Sequence, residues 1–328
     1  MSLDPVSNIF SMGNCELFIQ CAESLGAADF SRGARVCKLW HELFQDQGIW
    51  KSLSQREGIP LVEGNDRNYK EDFKILYPIT LSGKTISQFF GESLGEIPRI
   101  RLEVFNRLQQ RDPFDPQRSM QENYVFVVVP SKVARPLDQN TPPPLSEAGE
   151  IAGPMLQIPF SLKNLKMLCE HPLIGHKHMP VFGKDSYQPV FDQCGLCSDK
   201  VRVYFMRKRV ADQTRSLPYL QQEGKARDQG LEVTPMLPRA LYDAVCILRS
   251  GTCPDNRERE PVTYARTSDL VRVGNSTYPS EIGGFAPRAG ADVNSSGYDY
   301  DLIGVAPGGS AEVLRPLVLG NLGIGKGH

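Results

Sequence analysis

Residues 122–130, ENYVFVVVP, decide the fold class. Six consecutive β-branched or aromatic residues followed by Pro130 are typical of a buried strand, because such side chains suit a pleated, covered surface. The sequence before this run has mainly helical periodicity, whereas the sequence after it mixes short strands and helices. We therefore predict an α+β protein in which a helical N-terminal part precedes a mixed domain with short strands.

The mixed domain is predicted over residues 116–328. Its strongest segments are a strand at 156–160, a helix at 161–170 capped by Ser161, a strand at 200–210, a helix at 217–230 and an amphipathic helix at 239–251 that ends at Gly251. After residue 260 only short strand patterns occur, separated by Gly, Pro, Asn and Ser. Helices and strands therefore do not alternate after residue 260, which favours an α+β domain over a doubly wound one. The Pro-rich segment 131–154 is predicted to be a long exposed loop.

The residues upstream of 116 form two predicted helical units. Residues 61–115 are a helical connector, in which a helix begins at Pro98. Residues 1–60 contain three short amphipathic helices, and the third is capped by Asp46 and ends at Gly58. Three helices of this length bury little apolar surface, so the unit is expected to pack on the rest of the chain or on a partner.

Composition excludes several classes of function. The formal net charge of −1 gives no basic field for nucleic acid or for an anionic membrane. No window approaches eighteen consecutive apolar residues, so no membrane span is expected. The first residues, MSLDPVSNIF, lack the basic and apolar regions of a signal peptide, and the eight cysteines are therefore interpreted as reduced thiols. A cytoplasmic protein is expected.

The best candidate for metal binding is the pair Cys194 and Cys197, with His171, His176 and His178 shortly before it. Two thiolates and two imidazoles can complete a tetrahedral zinc site, although a single CxxC is more often a reduced pair in a turn. We therefore predict no metal and no cofactor.

Catalytic residues are not predicted either. The chain has five histidines and no G-x-S-x-G nucleophile motif, so we expect a protein that is not an enzyme. The basic run Arg207-Lys208-Arg209 is interpreted as a solvated strand edge rather than as a nucleic-acid contact.

Both tryptophans fall in one segment, residues 15–53, CELFIQCAESLGAADFSRGARVCKLWHELFQDQGIWKSL. This segment resembles the F-box, the helical module by which substrate receptors dock on the adaptor subunit of cullin–RING (SCF-type) ubiquitin ligases. Gly13-Asn14 stands where the family has Leu-Pro. Segments after residue 122 are similar to the region that follows degenerate F-boxes in proteins of bacteria that live inside eukaryotic cells, a region without an assigned activity.

The resemblance implies a function and a set of contact residues. The protein would dock on the ligase adaptor and present an unidentified target protein through its C-terminal domain, in the host cytosol if it is a secreted bacterial effector. The partner-binding residues that match the family pattern are Glu16, Leu17, Leu25, Val36, Cys37, Trp40, Leu43, Trp50 and Leu53.

Two alternatives stay open at this point. The two indoles can instead close the core between the helical unit and the connector, since tryptophan buries a large area wherever it packs. The C-terminal domain can also be a structural or zinc-dependent module that the helical unit only caps.

Overall fold

The computed structural model describes residues 45–136, 151–152, 155–173, 180–184, 186–195, 198–255, 263–286, 289–295 and 303–311. Within these ranges helices and sheets of mixed direction occur together, which confirms the α+β class. The α-helices are α1 Gln47–Glu57, α2 Tyr69–Leu76, α3 Gly83–Phe90, α4 Leu102–Arg107, α5 Met120–Asn123, α6 Leu162–Glu170, α7 Gln188–Gln193, α8 Tyr219–Asp228 and α9 Met236–Ser250.

Among the described residues, the strands form three larger sheets and one two-stranded ribbon. Their bounds are β1 Thr80–Leu81, β2 Glu92–Leu94, β3 Arg111–Asp112, β4 Asp115–Ser119, β5 Tyr124–Val129, β6 Lys132–Pro136, β7 Ile151–Ala152, β8 Met155–Pro159, β9 Arg202–Arg207, β10 Glu232–Val233, β11 Tyr264–Val273, β12 Ser276–Ala286, β13 Gly290–Ser295, β14 Ile303–Val305 and β15 Pro307–Ser310. The sheet orders are β1-β5-β9-β15-β10, β13-β12-β11-β14 and β2-β6-β8-β7, and β3 pairs with β4.

The predicted strand at ENYVFVVVP is confirmed as β5, inside the five-stranded sheet. All six of its residues are buried, since β1 and β9 cover its edges and α9 packs on it. The rings of Tyr124 and Phe205 stack across β5 and β9 with centroids 4.7 Å apart. A strand covered on both faces is apolar throughout, which is why this run lacks the alternation of a half-exposed strand.

Local helix signals are also confirmed. Ser161 accepts a hydrogen bond from the backbone N of Asn164 at the start of α6, and Gly251 ends α9 in the left-handed conformation. In contrast, the helix predicted to begin at Pro98 begins at Leu102. The three apolar residues of the predicted helix, Ile100, Val104 and Leu108, are nevertheless all buried. Ile100 precedes α4 in an extended segment, where its backbone N donates a hydrogen bond to the carbonyl oxygen of Leu61.

The prediction of a long exposed loop at 131–154 is wrong for its two ends. Residues 132–136 form β6, which pairs along its whole length with β8 and at its start with β2. Val133 and Arg135 are buried there, and an Nη1 atom of Arg135 donates to the carbonyl oxygen of His171. Residues 151–152 form β7, and 137–150 lie outside the described residues.

The interpretation of Arg207 as part of a solvated edge is also wrong. Arg207 is buried at the end of β9, where its Nε lies 3.0 Å from Oδ2 of the fully buried Asp112. The same carboxylate accepts from the side chain of Asn123 and from the backbone N of Phe114. Because the ion pair is enclosed and hydrogen-bonded, Arg207 is a structural residue.

A second group of buried charges holds the middle of α9. Arg239 has no exposed surface; its Nε lies 2.9 Å from Asp243, and its Nη2 also pairs with Asp255. The other oxygen of Asp255 accepts from the backbone N of Val210, just beyond β9, at 2.8 Å. This network ties α9 to the five-stranded sheet and to the segment that follows α9.

Hydrogen bonds and apolar contacts cross both predicted domain boundaries. Strand β1 of the connector pairs in parallel with β5, and β2 pairs with β6. Buried apolar side chains from Ile49 to Ala311 form one continuous cluster. Across the described residues, no helix has the length and apolar character needed to span a bilayer.

Candidate functional site

Helix α1 is the described part of the predicted docking unit. It begins where predicted, because Oδ1 of Asp46 accepts from the backbone N of Gly48 at 2.6 Å and of Ile49 at 3.3 Å. It ends where predicted, at Gly58, whose φ of +69° is the left-handed conformation that glycine adopts without strain. The third predicted helix of the N-terminal unit is therefore confirmed with both of its caps.

The buried face of α1 contains two of the predicted partner-binding residues. Trp50 is 4% exposed and Leu53 is 3% exposed, next to the equally buried Ile49. The indole of Trp50 packs on the ring of Phe73 in α2, with centroids 5.5 Å apart and planes tilted by 53°. In this conformation both side chains belong to the core that joins α1 to the connector, and partner binding by them stays a prediction.

Polar contacts reinforce the same attachment. Oε1 of the buried Glu57 lies 2.7 Å from Nζ of Lys84 at the start of α3, and the backbone N of Gly83 donates to the carbonyl oxygen of Gly58 at 3.0 Å. The two glycines approach so closely that a Cβ on Gly58 would lie 2.7 Å from the backbone N of Gly83. Helix α1 is thus held at its C-terminus by a contact that only glycine permits.

The face of α1 that points away from the core is small and polar. Gly48 and Gln55 are exposed, and Lys51 and Ser52 are half-buried. These positions follow the i, i+3, i+4, i+7 spacing of one helix face, so they form one stripe along the helix. The partner-binding set did not include them, although helical periodicity alone would have placed them opposite Trp50 and Leu53.

Seven of the nine predicted partner-binding residues lie outside the described part of the chain. They are Glu16, Leu17, Leu25, Val36, Cys37, Trp40 and Leu43. The structure therefore brings together Trp50 and Leu53, and the other seven contacts remain predictions.

The candidate zinc site is described only in part, because Cys197, His176 and His178 lie outside the described residues. Cys194 is buried, and burial, with the negative charge of Asp269, raises the pKa of its thiol to about 11, although a hydrogen bond with Ser280 opposes the shift. Cys194 is therefore a neutral thiol at pH 7 in this environment. Among the described side chains, no group of three or more His, Cys, Asp or Glu residues is placed to hold a metal ion.

No family model, curated protein or solved structure matches the chain.

Proposed function

We propose that this protein is an F-box-like adaptor that docks on the adaptor subunit of a cullin–RING ubiquitin ligase. Its C-terminal α+β region would present a target protein to the ligase, and the chain itself would catalyse no reaction. In this proposal the protein acts in the cytoplasm, which is the host cytosol if a bacterium secretes it. Support comes from the spacing of residues 15–53 together with the confirmed caps and packing of α1.

The observation that carries the proposal is the firm attachment of α1 to the connector. A substrate receptor must hold its target at a defined position relative to its docking element, because a loose joint would lower the effective concentration of the target at the ligase. The contact between Trp50 and Phe73, the ion pair between Glu57 and Lys84 and the hydrogen bond from Gly83 provide such an attachment. The pairing of β1 with β5 continues it into the five-stranded sheet.

The proposal gives different roles to the two tryptophans. Trp50 faces the connector, so its expected contribution to docking is indirect, through the position and stability of α1. Direct contact with the ligase adaptor is expected from the residues between 16 and 43 and from the polar stripe of α1 at its edge. Aromatic and aliphatic anchors surrounded by small polar residues are a common arrangement at protein interfaces.

Co-purification of the full chain with the purified ligase adaptor tests the proposal. We expect the wild-type chain to retain the adaptor. We expect a Leu17→Ala, Trp40→Ala double variant to retain at least about tenfold less, since truncated interface anchors cost about 2 kcal/mol or more. Leu220→Ala is a matched control, because Leu220 lies on α8 of the C-terminal domain and is 76% exposed.

Circular dichroism of every variant separates loss of docking from loss of folding. Failure of the wild-type chain to retain any adaptor would contradict the proposal. Equal retention by the folded double variant would contradict the assignment of Leu17 and Trp40.

A further inference from the structure

In the four-stranded sheet β13-β12-β11-β14, the two faces of strands β13, β12 and β11 differ in polarity. Ala265, Ile282 and Val293 lie opposite one another on three neighbouring strands, and all three are buried among apolar side chains. Side chains alternate between the two faces along a strand, so their neighbours in sequence point to the other face. On β11, β12 and β13 this second face is mainly polar, whereas β14 adds the buried Ile303 and Val305 to it, opposite Tyr264 and Arg266.

Two rows of polar residues cross this face. In the first row, Glu281 of β12 lies between Arg266 of β11 and Asn294 of β13. In the second row, Gly283 of β12 lies between Tyr264 and Asp292. Glu281 and Asp292 are therefore diagonal neighbours on adjacent strands, a relation that places Cα atoms roughly 7–8 Å apart.

Glycines in β12 leave room for the Tyr264 ring. Gly284 has a φ of +60°, and a Cβ at that position would overlap the Tyr264 hydroxyl group. The Tyr264 ring occupies the space over β12 that a side chain at Gly284 would fill. Its hydroxyl group donates a hydrogen bond to Oδ2 of Asp292 at 3.3 Å. Tyr264 and Asp292 are both half-buried, whereas Asn294 is exposed at the edge of the same face.

Oxygen Oε2 of the Glu281 carboxylate is the feature that indicates a bound ligand. Its side chain is 4% exposed, and Oε2 has no hydrogen-bond partner among the described residues. Buried carboxylate oxygens are almost always hydrogen-bonded, because an unpaired one loses its hydration without replacement. Burial raises the pKa of Glu281 to about 7, and the positive charge of Arg266 opposes this shift only in part.

Two hydrogen bonds of the neighbouring Arg266 go to neutral oxygens. Its Nη1 donates to the carbonyl oxygen of Leu217 at 3.3 Å and to Oε1 of the buried Gln222 at 3.4 Å. These two contacts direct Nη1 toward Leu217 and α8, and no hydrogen bond from a described residue reaches Oε2 of Glu281. With both carboxylates ionised, Arg266, Glu281 and Asp292 together carry one net negative charge.

We propose that this polar face binds a guanidinium group, supplied by a free arginine derivative or by an arginine side chain of a peptide. A planar guanidinium presents several N–H donors, so it can span two carboxylates on neighbouring strands. The Tyr264 ring provides an aromatic surface against which such a cation packs favourably. The site lies in a different part of the chain from α1 and is independent of docking to a ubiquitin ligase.

Calorimetric titration with Nα-acetyl-L-arginine amide tests the proposal. The titration is run at about pH 8, where a carboxyl group with the pKa of Glu281 is mainly ionised. We expect a dissociation constant on the order of 1 mM for a ligand of this size. The citrulline analogue has nearly the same shape without the charge, and we expect it to bind at least about tenfold more weakly.

Substitutions locate the binding on the sheet. Glu281→Gln and Asp292→Asn each remove one negative charge with little change in volume, and each is expected to weaken binding at least about tenfold. Asp199→Asn removes the same charge at an exposed position outside the sheet and is expected to leave the dissociation constant unchanged. Asp292→Asn at the half-buried edge keeps the test valid if Glu281→Gln does not fold.

Three results would overturn the proposal, and a further comparison identifies the source of the guanidinium. Absence of binding at tens of millimolar arginine amide, equal binding of the citrulline analogue, or unchanged binding by folded Asp292→Asn would overturn the proposal. Tighter binding of a Gly-Arg-Gly peptide than of free L-arginine identifies a peptide as the source of the guanidinium, and the reverse order identifies a small molecule.

Discussion

Truncation of Trp50 distinguishes a core role from a partner-binding role for this indole. The side chain is 4% exposed and packs on Phe73 in the connector. We expect Trp50→Ala to destabilise the attachment of α1 strongly in the isolated protein, with no partner present. An indole that waits for a partner would be exposed in the isolated protein, so its removal would cost little.

The magnitude follows from the buried area and the ring contact. A buried indole removes on the order of 200 Å² from water, which corresponds to about 5 kcal/mol as an upper bound. Measured truncations of buried aromatic residues cost about 3–5 kcal/mol, and a tilted ring pair such as that with Phe73 accounts for about 1 kcal/mol of this. We expect Trp50→Ala to lower the free energy of opening of α1 by about 4 kcal/mol.

Hydrogen exchange of the α1 amides measures this opening directly. A loss of about 4 kcal/mol corresponds to a fall of roughly a thousandfold in the protection of the amides near the end of the helix. Trp50→Phe keeps an aromatic ring against Phe73 and is expected to lose only about 1–2 kcal/mol. Gln55→Ala, on the exposed side of the same helix, is the matched control and is expected to stay within about 0.5 kcal/mol of the wild type.

One result would refute the reasoning. If Trp50→Ala changes protection no more than Gln55→Ala does, the indole is not part of a packed core. The packing of α1 on α2 would then not exist in solution, and Trp50 would be available to a partner.

Three further predictions concern stability. Gly58→Ala is expected to lower the free energy of unfolding by at least about 1–2 kcal/mol, because an alanine there combines a φ of +69° with a backbone clash. Gly224→Ala in α8, where a Cβ meets no atom within 4 Å, is expected to raise it by about 0.5–1 kcal/mol. Urea unfolding measures both variants. Asp255→Asn is expected to cost about 3 kcal/mol by the same assay, because it weakens the hold on the fully buried Arg239. Burial raises the pKa of Glu281 from 4.5 to about 7, so the native state binds a proton there more tightly than the unfolded state does. Stability from this group is therefore present below about pH 4.5, and about 3 kcal/mol of it is lost as the pH rises to about 7. Glu281→Gln is expected to remove this dependence of the unfolding free energy on pH. An unchanged pH dependence in the variant would contradict the burial of the carboxyl group.

Short-range signals predicted much of the secondary structure. Asp46, Gly58, Ser161 and Gly251 each act on backbone groups within a few residues, so the sequence around them is sufficient to place the helix ends. The run ENYVFVVVP is similarly self-contained, because six apolar residues of strand-forming type can be satisfied only by burial on both faces. The α+β class followed from these local patterns.

The candidate docking site was predicted in outline only. The sequence pattern identified Trp50 and Leu53, and their apolar character and spacing are compatible both with a core and with an interface. The packing of α1 on the connector depends on Phe73 and on Lys84, which are 23 and 34 residues away from Trp50 and which no local pattern connects to it. Partner binding by Trp50 and Leu53 stays a prediction. The seven partner-binding residues from Glu16 to Leu43 remain predictions from the family pattern alone.

Pairing between distant segments decided what the sequence alone could not. Arg207 belongs to a basic run that is typical of a solvated edge, yet Asp112, 95 residues earlier, encloses it in a buried ion pair. Residues 132–136 have the composition of a loop and become a strand because β2 and β8 supply hydrogen-bond partners on both sides. Glu281 and Asp292 come together only through the register of β12 and β13. Local sequence thus determined where helices and the central strand form, since caps and burial patterns act within a few residues. Only the tertiary structure determined which charges are buried and which polar groups face one another, since those depend on which distant strands pair and in what register.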